Sequence, residues 1–199
     1  MPKVTATSFF ALALLTSVAL GAGKNEPVFA HFTDHYTIEV DAPPETVWAH
    51  VKHLYVDGER SLQQGAAEVL PITDDISAYL GGLRVIRRSE GGVISESRTT
   101  FSAIDDKTMF LSMHMSGTPS GGASPQKAGG IYMTHDVRPA GRKSEWQVII
   151  HTLLEVQFEA GEQPSAELVR KKMAELFTRH NRQVGEILEK QKDAIEKSR

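Results

Sequence analysis

Two of the eight histidines occupy positions from which an imidazole could act on a bound molecule. His180 falls in the apolar stripe of a predicted C-terminal helix, between Phe177 and Val184. His135 shares one face of a predicted strand with Ile131, Met133 and Val137. Because imidazole exchanges protons near neutral pH, the two histidines could form a general acid–base pair if they converge in one pocket.

His180 also has two simpler interpretations. It is either a buried histidine that bonds to a neighbouring strand, or a polar contact for a ligand hydroxyl or carboxylate. If it contacts ligand, the substitution His180→Leu should preserve folding and change ligand selectivity.

The sequence predicts no metal, no cofactor and no catalytic residue. His50 and His53 are three residues apart on a predicted helix, but no third ligand lies near them, and zinc normally takes at least three. The chain contains no G-x-S-x-G, no H-E-x-x-H and no glycine-rich phosphate loop after a strand.

Four methionines could line an adaptable binding surface. Met109, Met113 and Met115 alternate along one predicted strand, and Met133 belongs to the next. A flexible, polarizable thioether adapts to irregular shapes, although ordinary core packing explains the same pattern.

These side chains must be positioned by strands and by a long helix. Residues 164–197 carry apolar side chains at helical spacing, which predicts a helix capped by Ser165. Before them, alternation and turn residues predict a series of strands over 35–41, 83–88, 93–104, 109–115, 131–137 and 146–158. Pro44 and Glu45 predict the start of a short helix after the first strand. Residues 55–64 are polar and turn-like.

The segment Tyr36–Trp48 resembles the START/Bet v 1-like superfamily, also described as SRPBCC or polyketide cyclase/dehydrase proteins. It ends in Ala42-Pro43-Pro44-Glu45-Thr46-Val47-Trp48, which matches the A-P-x-E-x-V-W pattern of that family. The resemblance implies an α+β helix-grip fold, in which a curved antiparallel sheet wraps around a long C-terminal helix and leaves an apolar cavity. It also implies a hydrophobic small molecule or lipid as ligand. The residues that we expect to contact it are Met109, Met113, Met133, His135, Ile150, Leu154, Phe177, His180 and Val184.

The N-terminus has the pattern of a secretory leader. Lys3 precedes an apolar run over residues 9–20, and small residues follow, with cleavage expected after Gly23 or Gly21. The run is shorter than the roughly 20 residues of a membrane span. We therefore predict a signal peptide over 1–23 and one START/Bet v 1-like domain over 24–199, in a periplasmic or secreted protein.

Composition narrows the partners. A formal net charge of −3 lacks the basic excess of a general nucleic-acid binder. The absence of cysteine excludes both disulfides and a lipoprotein anchor.

The expected function is sequestration or transport of a hydrophobic molecule. The alternatives are a cyclase or dehydratase that uses His135 and His180, and a structural envelope protein with a filled core. A cavity smaller than a few hundred Å³ would favour the filled core. The Gly/Ser/Pro-rich segment 117–130 is either a flap over the cavity or a surface linker.

Overall fold

The computed structural model describes residues 5–7, 28–63, 66–74, 82–90, 93–116, 128–159 and 161–198. The strands within these ranges are β1 Thr5–Thr7, β2 Val28–Val40, β3 Glu68–Val69, β4 Thr73–Asp74, β5 Gly82–Glu90, β6 Val93–Asp105, β7 Phe110–Ser116, β8 Ala128–Ala140 and β9 Lys143–Val156. The helices are α1 Pro44–Val51, α2 Glu59–Gln63 and α3 Ala166–Lys197, with a π-helical turn at Lys52–Val56 between α1 and α2.

All of these strands pair antiparallel in one sheet. The order is β1-β2-β9-β8-β7-β6-β5-β3, and β4 also pairs with β5. Helix α3 packs against β2 and β9 on the concave side, and α1 contacts β8, β9 and α3. A curved antiparallel sheet around a long C-terminal helix is the helix-grip fold, so the predicted fold class is confirmed.

Strict alternation along β2 and β9 explains why the sheet has one buried face. From Ala30 to Val40 every second residue of β2 is buried, and from Ser144 to Val156 the same holds for β9. Ile38, Trp146 and Val148 have no measurable exposure. Burial of apolar area, worth roughly 25 cal/mol per Å², therefore fixes the register between these long strands.

Helix α1 and the π-helical turn close one end of the sheet. Pro44 occupies the first turn of α1 and Glu45 lies near its positive end, as predicted. The π-helical turn then directs Leu54 and Tyr55 inward. The prediction of a polar turn over 55–64 was wrong, because Tyr55 is buried and Glu59–Gln63 is helical.

Helix α3 begins where the cap predicts. The Ser165 hydroxyl accepts a hydrogen bond from the backbone N–H of Leu168 at 3.1 Å. Four of its side chains are buried: Leu176, Leu188, Lys192 and Ile195. Lys192 is the exception to the apolar stripe, with its ammonium 4.0 Å from Glu196.

The buried side chains of the described residues form two apolar clusters. The larger one is built around α1 and the middle of the sheet, and it includes Trp48, Trp146 and Leu188. The smaller one lies beside the first half of α3 and contains Ala30, Phe32, Leu154, Val156 and Leu176.

Two predicted features lie largely outside the described residues. Of the predicted leader, Thr5–Thr7 is described, and it pairs with β2 at residues 35–37; the apolar run over 9–20 is not. Of the proposed flap, residues 117–127 are not described, and 128–130 belong to β8. Among the described helices, none is long and apolar enough to cross a membrane.

Candidate ligand cavity

A cavity of about 170 Å³ lies between α3 and the concave face of the sheet. Its apolar lining comprises Leu54, Tyr55, Ile86, Met113, Met115, Ile131, Met133, Ile150 and Val184. Its polar lining comprises Arg60, Arg84, Thr99, Thr152 and His180. An apolar wall with a few polar groups is the usual composition of a small-molecule site.

The floor of the cavity is a row of cross-strand neighbours. Thr152 lies opposite Ile131, which lies opposite Met115 on the next strand. The row continues through Thr99 to Arg84 at the far side of the sheet. Because opposite residues in an antiparallel pair point to the same face, the strand register alone places these five side chains together.

Five of the nine residues predicted to contact ligand line this cavity: Met113, Met133, Ile150, His180 and Val184. Their contact with a ligand stays a prediction. Met115, which sequence reasoning grouped with the methionines but did not choose, also lines it.

The other four predicted residues lie elsewhere. Met109 is part of the turn before β7, where its φ of 54° ends the alternation that the sequence suggested. Leu154 belongs to the smaller apolar cluster, and Phe177 packs against it. His135 lies two inward rows from that floor, one row beyond Met133 and opposite Val148, and it is not among the lining residues.

His180 forms a buried contact with an acidic side chain, which the sequence did not reveal. Its Nε2 lies 3.2 Å from Oδ2 of Asp34, although the two atoms lack the alignment of a full hydrogen bond. The Asp34 side chain is 1% exposed and that of His180 is 16% exposed. The imidazole also stacks on Phe32, with ring centroids 6.3 Å apart. His180 therefore combines a strand contact with a place in the cavity wall.

Asp34 affects a second polar group on β2. Tyr36 is buried two residues further on, and its hydroxyl has no hydrogen-bond partner among the described residues. Burial and the Asp34 carboxylate together raise the pKa of Tyr36 well above its ordinary value. Its phenol therefore stays neutral.

His135 is enclosed by aromatic rings. Its Nδ1 accepts a hydrogen bond from the indole N–H of Trp146 at 3.2 Å. Tyr55 packs against its other side, with ring centroids 4.3 Å apart. Complete burial, with a smaller effect of the Arg60 charge, lowers the pKa of His135 to about 3. The imidazole is therefore neutral near pH 7, and the structure does not join it to His180 as an acid–base pair.

Arg84 is a buried cation in the cavity wall. It is 3% exposed, and its Nη1 donates a hydrogen bond to the backbone carbonyl of Tyr55 at 2.7 Å. Its guanidinium carbon lies 5.2 Å from the ring centroid of Phe101. Burial lowers its pKa, and the Asp57 charge partly opposes that shift. No carboxylate of the described residues lies within ion-pair distance of it.

Gly58 allows the chain to pass close to Arg84. Its φ of +88° is a conformation that favours glycine, and an added Cβ would lie 2.5 Å from Cγ1 of Val69. The same Cβ would lie 3.1 Å from Nη1 of Arg84. Glycine at this position therefore keeps the guanidinium in place.

A second arginine reaches the cavity from α2. Arg60 donates a hydrogen bond from Nη1 to the Tyr55 hydroxyl, and its guanidinium carbon lies 5.0 Å from the centre of that ring. Tyr55 thereby links the two arginines, since its carbonyl accepts from Arg84 and its hydroxyl accepts from Arg60.

Sequence reasoning missed Asp34, Tyr55, Arg60 and Arg84. The signal for Asp34 was present, since it lies two residues before the predicted inward Tyr36. Arg84 likewise lies two residues before Ile86, which is buried. Tyr55 lies in the π-helical turn and Arg60 follows it, and neither gave a comparable periodic signal.

The described residues hold no cluster of three or more histidine and acidic side chains that could bind a metal ion. His50 and His53, the pair considered from the sequence, do not converge on a third ligand there. Nδ1 of His53 instead lies 3.5 Å from Asp57, and both of these side chains are more than half exposed.

No family model and no curated protein matches the chain. Among solved structures it is similar to Ara h 8.0201, at 17% identity over 85% of this chain and 97% of that one, with a TM-score of 0.49. It is similar to the Zhui aromatase/cyclase from Streptomyces sp. R1128, at 13% identity over 77% and 87% of the two chains, with a TM-score of 0.44. It is also similar to truncated norcoclaurine synthase from Thalictrum flavum, at 19% identity over 67% and 80%, with a TM-score of 0.41.

Nothing about the chemistry of this chain follows from likenesses at such identities and TM-scores. The resemblance predicted from the sequence holds at the level of the fold, which the strand order and the C-terminal helix of this chain establish by themselves.

Proposed function

We propose that this protein binds a small, mainly apolar molecule in the cavity between α3 and the sheet. The observation that carries the proposal is the cavity itself, in which apolar side chains surround a few buried polar groups. Removal of ligand apolar area from water would drive binding, at roughly 25 cal/mol per Å².

The volume limits what can bind. About 170 Å³ is close to the 150 Å³ or so of an apolar protein cavity that admits benzene, and it is below the roughly 300 Å³ at which drug-sized sites begin. A single aromatic ring or a short aliphatic chain fits without rearrangement, whereas a sterol or a two-chain lipid does not. We therefore narrow the expected hydrophobic or lipid ligand to a molecule of about ten non-hydrogen atoms.

The same volume supports a second candidate function. A cavity below a few hundred Å³ is what we expected of a structural protein with a nearly filled core. Two observations favour ligand binding over that alternative. Nε of Arg84 and the hydroxyl of Thr152 are both buried in the lining, and neither has a hydrogen-bond partner among the described residues. An unsatisfied buried polar group costs roughly 1–3 kcal/mol, which a ligand or a bound water could offset.

Binding of toluene measured by calorimetry tests the proposal. The variant Val184→Phe places a ring in the cavity from α3 and should reduce toluene affinity at least tenfold, because it occupies the same space. Val169→Phe makes the same change on α3 away from the lining and should leave affinity within twofold. Absence of toluene binding to the wild type, with a folded and monodisperse protein, would support the filled core instead.

We further propose that the protein is exported and that its leader is removed after Gly23 or Gly21. The order of one basic residue, an apolar run and small residues supports this proposal. Removal of the leader would also remove β1 from the edge of β2. Expression of the full chain in a Gram-negative bacterium, followed by fractionation and N-terminal sequencing, tests it. A periplasmic protein beginning at Lys24 or Ala22 is expected, and an intact N-terminus in the cytoplasmic fraction would contradict it.

A further inference from the structure

The described residues that line the cavity include two arginines and no carboxylate. Asp34 on β2 contacts the lining residue His180 but is not itself part of the lining. Arg60 and Arg84 therefore give the described cavity wall an excess of positive charge. Since a charge in an apolar environment is costly unless an opposite charge or hydrogen bonds compensate it, the wall is incomplete with respect to charge.

Arg84 is held so that it cannot relieve this cost by turning towards water. Its Nη1 is fixed on the Tyr55 carbonyl, Phe101 covers its guanidinium, and Gly58 lies against it. A guanidinium has five N–H donors, and the Nε–H of Arg84 finds no acceptor within the part of the chain that the structure describes. The unused donor belongs to a side chain that is 97% buried and lines the cavity.

We propose that the ligand is a small organic monocarboxylate, with an apolar body about the size of a phenyl ring and a carboxylate bound by Arg84. This inference rests on the proposed function and specifies its ligand class. The planar fork of a guanidinium matches the two oxygens of a carboxylate, which makes this pairing stronger than one with a neutral hydroxyl. Arg60 adds a second positive charge on the same wall, and the methionines contact the apolar body.

The ligand volume favours a carboxylate over a phosphate ester. A phenyl ring with a carboxylate has nine non-hydrogen atoms, which fits a cavity of about 170 Å³. A phosphomonoester of the same ring is larger, and its second negative charge adds to the cost of leaving water.

Competition between benzoate and benzyl alcohol at pH 7 tests the inference, because the two share a ring and differ in charge. Wild-type protein should bind benzoate at least tenfold more tightly than benzyl alcohol, since a charge-assisted hydrogen bond is worth more than a neutral one. Arg84→Gln should remove that preference, because it should lower the affinity for benzoate at least tenfold. The affinity for benzyl alcohol should change by less than twofold. Arg142→Gln removes an exposed arginine from the β8–β9 turn and should change neither affinity.

A second measurement covers the case in which Arg84→Gln does not fold. In wild-type protein, the Nε–H resonance of Arg84 should shift on addition of benzoate and stay in place on addition of benzyl alcohol. Equal affinities for the two compounds, or an unshifted Nε–H resonance at saturating benzoate, would overturn the inference. Toluene binding in the same experiment would still support the proposed function. If toluene, benzyl alcohol and benzoate all fail to bind, the proposed function falls as well.

Discussion

Removing the His180 imidazole should destabilise the fold, because it leaves the Asp34 carboxylate buried without its partner. The perturbation is His180→Leu. Asp34 is 1% exposed, and no lysine or arginine of the described residues pairs with it. Leaving a buried polar group without its partner costs about 1–3 kcal/mol, and more when the group is charged. Because the group left behind is a carboxylate and His180 retains 16% exposure, we expect about 3 kcal/mol. This replaces the expectation from sequence that His180→Leu would leave folding intact.

Urea unfolding followed by the fluorescence of Trp48 and Trp146 measures this effect. For a domain of this size, about 3 kcal/mol also corresponds to a fall in Tm of roughly 6–12 °C. The control His53→Leu breaks the contact between His53 and Asp57, two exposed side chains. It should lower the free energy of unfolding by less than about 1 kcal/mol.

A double variant separates charge from packing. Asp34→Val combined with His180→Leu removes both members of the pair and should recover most of the lost stability, because apolar replacement of a buried pair is often neutral. If His180→Leu costs no more than His53→Leu, the pair does not matter for stability. If the double variant is as unstable as His180→Leu alone, the loss comes from packing against Phe32 and the electrostatic reasoning is wrong.

Three further substitutions test separate parts of the account. Gly58→Ala should lower the free energy of unfolding in urea by more than about 2 kcal/mol and weaken benzoate binding, because it forces an L residue to a φ of +88° and crowds Val69 and Arg84. An unchanged unfolding midpoint would contradict the left-handed conformation of Gly58. Gly185→Ala should stabilise the protein by roughly 0.5–1 kcal/mol, because an added Cβ on α3 meets nothing within 4 Å and alanine favours helix; destabilisation would show that the position is constrained. His135 should make the protein less stable as pH falls from about 6.5 to about 3, because in that window the unfolded chain binds a proton that the folded protein does not. The slope should be roughly 1 kcal/mol per pH unit and should flatten in His135→Gln, and an unchanged slope would contradict the assignment.

The main elements of the fold were predictable because one face of each is buried. Alternation in β8 and β9 follows from packing on one side of the sheet, so Met133 and Ile150 could be assigned to the inner face from sequence. Ser165 marked the start of α3 because a hydroxyl at that position satisfies a free N–H. These signals are local, so the sequence reveals them without knowledge of the tertiary structure.

The sequence did not predict which of the inward-facing side chains lie at the cavity. Periodicity assigns a side chain to a face but not to a row across the sheet, and rows depend on strand register. His135 and Met133 are on the same face, yet Met133 lines the cavity and His135 does not. The same limit applies to Leu154 and Phe177, which face inward but lie at the smaller apolar cluster and not at the cavity.

The charged residues were missed because they are exceptions to the rule that such groups stay on the surface. Arginine and aspartate are seldom buried, so the alternation that places Arg84 and Asp34 on inward faces was not enough to assign them to the core. Each becomes meaningful only through a partner far away in the chain. His180 reaches Asp34 from α3, and Tyr55 reaches Arg84 from the π-helical turn.

Methionine methyl resonances give the most direct test of the central claim that the cavity binds a small apolar molecule. Met113, Met115 and Met133 line the cavity, whereas Met109 and Met173 lie outside it and serve as internal controls. On titration with toluene, the ε-methyl signals of the three lining methionines should shift together and saturate, and those of Met109 and Met173 should stay in place. Unmoved lining methyls at saturating toluene, or equal shifts at all five, would contradict the account.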